Sequence, residues 1–113
     1  MAQQQATPTD APLDARKPNV VVQTADVRVV EYVLAPGVAH SWHHHTQITD
    51  TFYCLEGLIG VETREPASRR VLRVGETCKV PPNTVHHASN AGDATSRYLL
   101  VQAQGKYDYI KAE

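Results

Sequence analysis

From Asn19 to Gln104 the chain never runs far without a turn signal, and the stretches between those signals are too short for ordinary helices. NVVVQ and VRVVEYVL are rich in β-branched residues, which suit a pleated, half-buried surface. Ala35-Pro36-Gly37 ends the second of them. Further strands are expected over 41–47, 51–55, 58–64, 69–74, 77–80, 85–89 and 97–104, separated by Glu56-Gly57, EPAS, Gly75, Pro81-Pro82-Asn83 and Asn90-Ala91-Gly92-Asp93. No segment repeats its apolar residues every 3.6 positions over helical length, so the pattern predicts an all-β sandwich or barrel. The 113 residues suit one domain with one core. Residues 1–18 are polar with three prolines and are expected to form a loose, flexible arm. Residues 19–104 are expected to be the folded domain. After Gly105, residues 105–113 read as a C-terminal tail.

Composition narrows the function classes. A net charge of −1 with 20% charged residues gives no sign of a nucleic-acid partner. No apolar run approaches the length that crosses a bilayer, and the N-terminus lacks the apolar stretch of a secretory signal. A cytoplasmic protein is expected, with Cys54 and Cys78 as reduced, buried thiols.

The chemistry gathers between Pro36 and Gly57, in PGVAHSWHHHTQITDTFYCLEG. On an extended chain alternate side chains share a face, so His43 and His45 point one way and Trp42 and His44 the other. Two imidazoles on one face can bind one metal ion, and Asp50, from the next strand, can add an oxygen ligand. Such a site asks for a third nitrogen ligand from elsewhere in the chain. Parity from Asp50 turns Phe52 and Cys54 inward and Tyr53 outward. On the last strand either Tyr98 and Gln102, or Leu99 and Val101, face the cavity. Parity places His44 and His87 on the surface and leaves the direction of His40 open.

Gly37, His43, His45, Asp50 and Gly57 keep every spacing of G-x5-H-x-H-x4-E-x6-G, and Gly75, Pro81, Asn83, His86 and Asn90 keep every spacing of G-x5-P-x-G-x2-H-x3-N. In these two motifs the chain resembles the cupin superfamily, as a small single-domain member, over roughly residues 19 to 104. The resemblance implies a double-stranded β-helix, or jelly-roll, barrel. It also supplies the missing ligand, His86, giving His43, His45, Asp50 and His86 as the expected metal set. Asp50 stands where the family pattern has Glu, and Asn83 where it has Gly. Asn tolerates the left-handed backbone conformation better than other non-glycine residues. The Asp50 side chain is one methylene shorter than Glu and is expected to bind weakly or through water, so that its loss weakens metal affinity by about 10- to 100-fold. Asn90 is expected to bond backbone at the turn that follows it.

One divalent transition metal per chain is therefore expected, one of Fe, Mn, Ni, Cu or Zn. Two open positions on such an ion suit a small anionic or enolisable organic substrate. The preferred reading is a metalloenzyme of Fe(II) dioxygenase type, with Asp50 as the candidate catalytic residue. The alternatives are a redox-silent isomerase, lyase or cyclase, and a non-catalytic cupin that binds a small molecule. A homodimer is expected, because the apolar strand Val20–Val22 leaves an edge that needs cover.

Overall fold

The structure, a computed structural model, describes residues 18–113. The arm expected over 1–18 thus lies outside the described residues, apart from Pro18. Ten strands follow: β1 (Asn19–Gln23), β2 (Val27–Leu34), β3 (His43–His44), β4 (Thr49–Glu56), β5 (Ile59–Arg64), β6 (Ala67–Leu72), β7 (Thr77–Val80), β8 (His86–Asn90), β9 (Ser96–Ala103) and β10 (Ile110–Lys111). They form two five-stranded sheets, in the orders β1-β2-β9-β4-β7 and β10-β3-β8-β5-β6, with every pairing antiparallel. This is the expected jelly-roll barrel. Among the described residues no helix is long and apolar enough to cross a membrane.

The core lies between the sheets and is built by alternation. Along β9, Ser96, Tyr98, Leu100 and Gln102 are buried while their neighbours are half-buried. Pairing fixes this register: β9 lies between β2 and β4, with Tyr98 opposite Tyr32 and Cys54, and Leu100 opposite Val30 and Phe52. Of the two phases open to sequence reasoning, Tyr98 and Gln102 are the inward pair. On β4, Phe52 and Cys54 are buried and Tyr53 is exposed, as parity requires. Both cysteines are free; Cys54 is buried and Cys78 only partly so.

The motif turns are held by backbone geometry. Asn83 has φ 62°, the left-handed conformation, at the position where the family pattern has Gly. Asn90 donates to the carbonyls of Leu34 (3.0 Å) and Ala94 (2.8 Å) and accepts from the Gly92 amide (2.8 Å), tying the end of β2 to the β8–β9 turn. Gly57 combines φ 70° with close approach: a Cβ there would meet the Thr95 carbonyl oxygen at 2.8 Å and Ser96 Cβ at 2.9 Å. Gly57→Ala is expected to cost about 2–4 kcal/mol, the sum of a left-handed alanine and an overpacked strand entry. Denaturant unfolding monitored by circular dichroism measures it; a midpoint equal to wild type would contradict the tight approach.

The last residues depart from expectation. The segment 105–113, expected as a tail, contains β10, which pairs with β3. Gly105 donates to the Asp26 carbonyl at 3.1 Å, the Lys106 amide to Gln47 Oε1 at 3.0 Å, and the Ala112 amide to the Trp42 carbonyl at 2.8 Å. Gly105 turns the chain rather than ending the fold, and only Ile110-Lys111 becomes strand.

Candidate metal centre

Three short elements bring the ligands together. β3 supplies His43, and His45 follows just beyond its end. β8 supplies His86, directly opposite His43 in the strand pairing. Asp50 comes from β4, in the other sheet, so the site spans the gap between the two sheets. All four side chains are buried: His43 is 8%, His45 3%, Asp50 1% and His86 1% exposed. One donor atom from each lies within 4.8 Å of the others. The expected strand over 41–47 is only two residues long, yet the parity of His43 and His45 holds, while His44 stays half-buried on the opposite side.

The hydrogen bonds fix which ring nitrogens face inward. Nδ1 of His43 lies 2.7 Å from the Ser41 carbonyl, Nδ1 of His86 2.7 Å from the Thr84 carbonyl, and Nδ1 of His45 2.5 Å from the Asp108 carbonyl. A carbonyl only accepts, so each Nδ1 carries the proton and each neutral ring keeps its lone pair on Nε2. Those lone pairs converge on a carboxylate. Asp50 Oδ2 is 2.8 Å from His86 Nε2 and 3.1 Å from His45 Nε2. Acceptors this close repel one another unless a cation lies among them. Adjacent ligand atoms held at ~2.1 Å from one ion are about 3 Å apart, which is the separation of these pairs. The donor set thus fits a divalent transition metal, with imidazole nitrogen for Fe, Mn, Ni, Cu or Zn and one carboxylate to lower the net charge. The shorter side chain of Asp50 reaches both histidines. It is aimed by Gln102, its neighbour on β9, whose amide donates to Asp50 Oδ1 at 3.0 Å. Arg28 on β2 in turn donates to Gln102 Oε1 at 2.6 Å.

Without metal, the carboxylate that would favour a cation favours a proton on His45. Burial acts to lower the His45 pKa, but the hydrogen bond and charge of Asp50, with the Asp108 carbonyl, outweigh it and leave the pKa raised. Burial likewise acts to raise that of Asp50, and hydrogen bonds from His45 and His86 outweigh it, holding the carboxyl well below its usual range. His43, pushed down to about 4 chiefly by burial, stays neutral near pH 7. Metal and proton compete for His45 Nε2, so affinity is expected to fall as pH drops through the raised His45 pKa, with His43 opposing binding only near pH 4. Chelator competition across this range measures it; an affinity that does not fall with pH would contradict the competition. Gln102→Leu removes the donor that aims Asp50 and is expected to weaken metal affinity about 10-fold, the lower end for an outer-sphere partner. Chelator competition reads it, and unchanged affinity would mean that Asp50 is held without Gln102.

A cavity of about 30 Å³, room for about one water molecule, is lined by three of the four, His43, His45 and Asp50. Tyr98 and Phe52 floor it, and Tyr32, His40, Tyr107 and Tyr109 surround its outer side. Tyr109 stacks on His43 at 4.4 Å between ring centres. His40, whose direction parity left open, lines this cavity and packs against Tyr32 at 4.5 Å. His87 points away, stacked on Trp42 and hydrogen-bonded to Glu62 at 2.8 Å. Sequence reasoning missed Arg28 and Tyr32, although strand parity with the buried Val30 and Leu34 places them inward. It also missed Tyr107, Asp108 and Tyr109, whose only local signal is the short alternation in KYDY.

Comparison with known proteins agrees with this picture. The family model described as Cupin domain matches residues 30–102. A search of curated proteins finds no match. Solved structures do match. A conserved protein with a double-stranded β-helix domain from Klebsiella pneumoniae superposes with a TM-score of 0.73 at 26% identity, covering 88% of each chain. TT1209 from Thermus thermophilus gives 0.71 at 26% identity, covering 84% of this chain and 90% of that one. A cupin-like protein from Thermotoga maritima gives 0.72 at 20% identity, covering 84% and 75%.

Proposed function

The chain belongs to the cupin domain family, and from that premise we propose that it is a metal-dependent enzyme acting on a small anionic or enolisable organic substrate, by preference as an Fe(II) dioxygenase. One observation carries the reading: three imidazole lone pairs and a carboxylate, all buried, converge at the inner end of a cavity. Bound there, a divalent ion would supply Lewis-acid activation, or a meeting point for substrate and dioxygen. The protein's own residues do the rest. Asp50 is the single carboxylate among the described residues lining the inner cavity and the candidate proton-transfer group there. Tyr98 is fully buried, and burial raises its hydroxyl well above the usual range, so it stays protonated at neutral pH and can donate a hydrogen bond. Phe52, Tyr107 and Tyr109 restrict water around the substrate.

The test is an oxygen electrode with iron-loaded protein and a panel of 1,3-diketones, catechols, flavonols and 2-oxo acids. Oxygen uptake that requires both His43 and a substrate supports the dioxygenase. Turnover that proceeds equally under nitrogen, or with zinc in place of iron, moves the assignment to a redox-silent isomerase, lyase or cyclase. Tight, metal-dependent binding without turnover on any substrate makes the protein a non-catalytic small-molecule binder.

We also propose a homodimer. Among the described residues β1 pairs only with β2, and Val20, Val21 and Val22 are 46%, 54% and 46% exposed beside its open edge. Light scattering at micromolar concentration should give twice the 12.5 kDa monomer mass; the monomer mass itself would refute this.

A further inference from the structure

A second, larger cavity of about 310 Å³ lies outside the metal centre. It shares Tyr32, His40, Tyr107 and Tyr109 with the inner one, so the two adjoin through common walls. Its volume is about twice the ~150 Å³ that accepts a benzene ring. What distinguishes it is charge. Arg28 and Lys111 both line it, and no carboxylate does among the described residues. The arginine–carboxylate ion pairs among the described residues join Arg69 to Glu62, and Arg97 to Glu31 and Glu56; Arg28 makes none among them. Arg28 is instead held by neutral groups. It donates to Gln102 Oε1 at 2.6 Å, and its guanidinium carbon lies 4.4 Å over the Tyr107 ring. Lys111, on β10, approaches from the opposite strand system and is exposed. A half-buried guanidinium fixed in place, with N–H groups left for a planar acceptor and a second cation at the rim, is a receptor for a carboxylate.

We propose that the outer cavity binds the carboxylate end of a small, flat organic acid, with Arg28 and Lys111 as specificity-determining residues and the opposite, oxygen-bearing end of the molecule directed at the metal centre. The position of the far end rests on the metal-dependent reading above; the carboxylate end does not. The two are joined through the chain: Arg28 holds Gln102, and Gln102 holds Asp50, so the group that meets the anion also supports a residue of the metal set.

The experiment compares 3,4-dihydroxybenzoate with its neutral analogue 3,4-dihydroxybenzamide, by calorimetry on the full-length protein, both zinc-loaded and metal-free. The acid is expected to bind about 10- to 100-fold more tightly than the amide, the scale of a hydrogen-bonded charge pair. That ratio should persist without zinc, while both probes bind more tightly with it. Arg28→Met should bring the ratio close to one. Lys111→Glu, an exposed change that reads the same cavity should Arg28→Met fail to fold, should lower the ratio at least about threefold. Equal binding of acid and amide to wild type, or a ratio unchanged in Lys111→Glu and in any folded Arg28→Met, would overturn the proposal. A ratio that persists while zinc adds nothing to either affinity upholds the carboxylate site and removes the metal-dependent reading instead.

Discussion

His86→Ala is expected to purify without stoichiometric metal. His86 is 1% exposed, its Nδ1 is committed to the Thr84 carbonyl, and its Nε2 sits 2.8 Å from Asp50 Oδ2. Alanine leaves no donor in that place, and the neighbouring backbone cannot bring one. Two imidazoles and a carboxylate remain, one nitrogen ligand fewer than the three-histidine set, and binding is expected to fall below stoichiometric retention. His43→Ala is expected to do the same from the facing strand, since the two residues are direct partners across β3 and β8. Elemental analysis of wild type and both variants gives the answer. About one ion per chain is expected in wild type and none in the variants, and full retention in both variants would sink the ligand assignment. Circular dichroism guards against simple unfolding.

The second large effect comes from the far end of the chain. A protein ending at Gln104 is expected to remain folded but to hold metal about 10- to 100-fold more weakly. The two halves of that expectation have separate causes. The hydrophobic core cluster, which includes Val30, Leu34, Phe52, Ile59 and Tyr98, takes no member from 105–113. The metal centre does depend on this segment. The Asp108 carbonyl fixes the tautomer of His45, and the Asp108 carboxylate accepts from the Thr46 amide at 2.8 Å and from the Thr46 hydroxyl at 2.5 Å, clamping the segment in place. Tyr109, stacked on His43, is lost as well. Chelator competition reads the affinity and circular dichroism the fold. Wild-type affinity in the truncated protein would mean that His45 needs no partner from this segment.

That segment also marks where the sequence stopped being informative. β1, β2 and the hairpin of β5 and β6 follow from β-branched runs and turn residues, because those are local causes. β10 forms because β3 offers it an edge, and no local propensity announces such a partner. The phase of β9 was undecidable for a similar reason. Tyr98 and Leu99, or Leu100 and Val101, are equally apolar neighbours, and only pairing with β2 and β4 selects the inward set. The candidate site was more legible. His43, His45, Asp50 and His86 lie together, the first two as parity indicates and His86 as the resemblance to the cupin pattern implies. The short Asp50 carboxylate, expected to bind metal weakly or through water, lies within hydrogen-bonding distance of two histidines and is aimed by Gln102 on the adjacent strand. The support of that contact by Gln102, and of Gln102 by Arg28, spans β4, β9 and β2, a relation the linear order of residues does not display.

Anomalous diffraction from crystals of the metal-loaded protein tests the central claim most directly. Data collected on either side of the absorption edge of the added metal should give one strong peak per chain, about 2.1 Å from Nε2 of His43, His45 and His86 and at a similar distance from an Asp50 carboxylate oxygen. A peak elsewhere on the protein, or no peak at these residues under metal concentrations that saturate binding, would contradict the account.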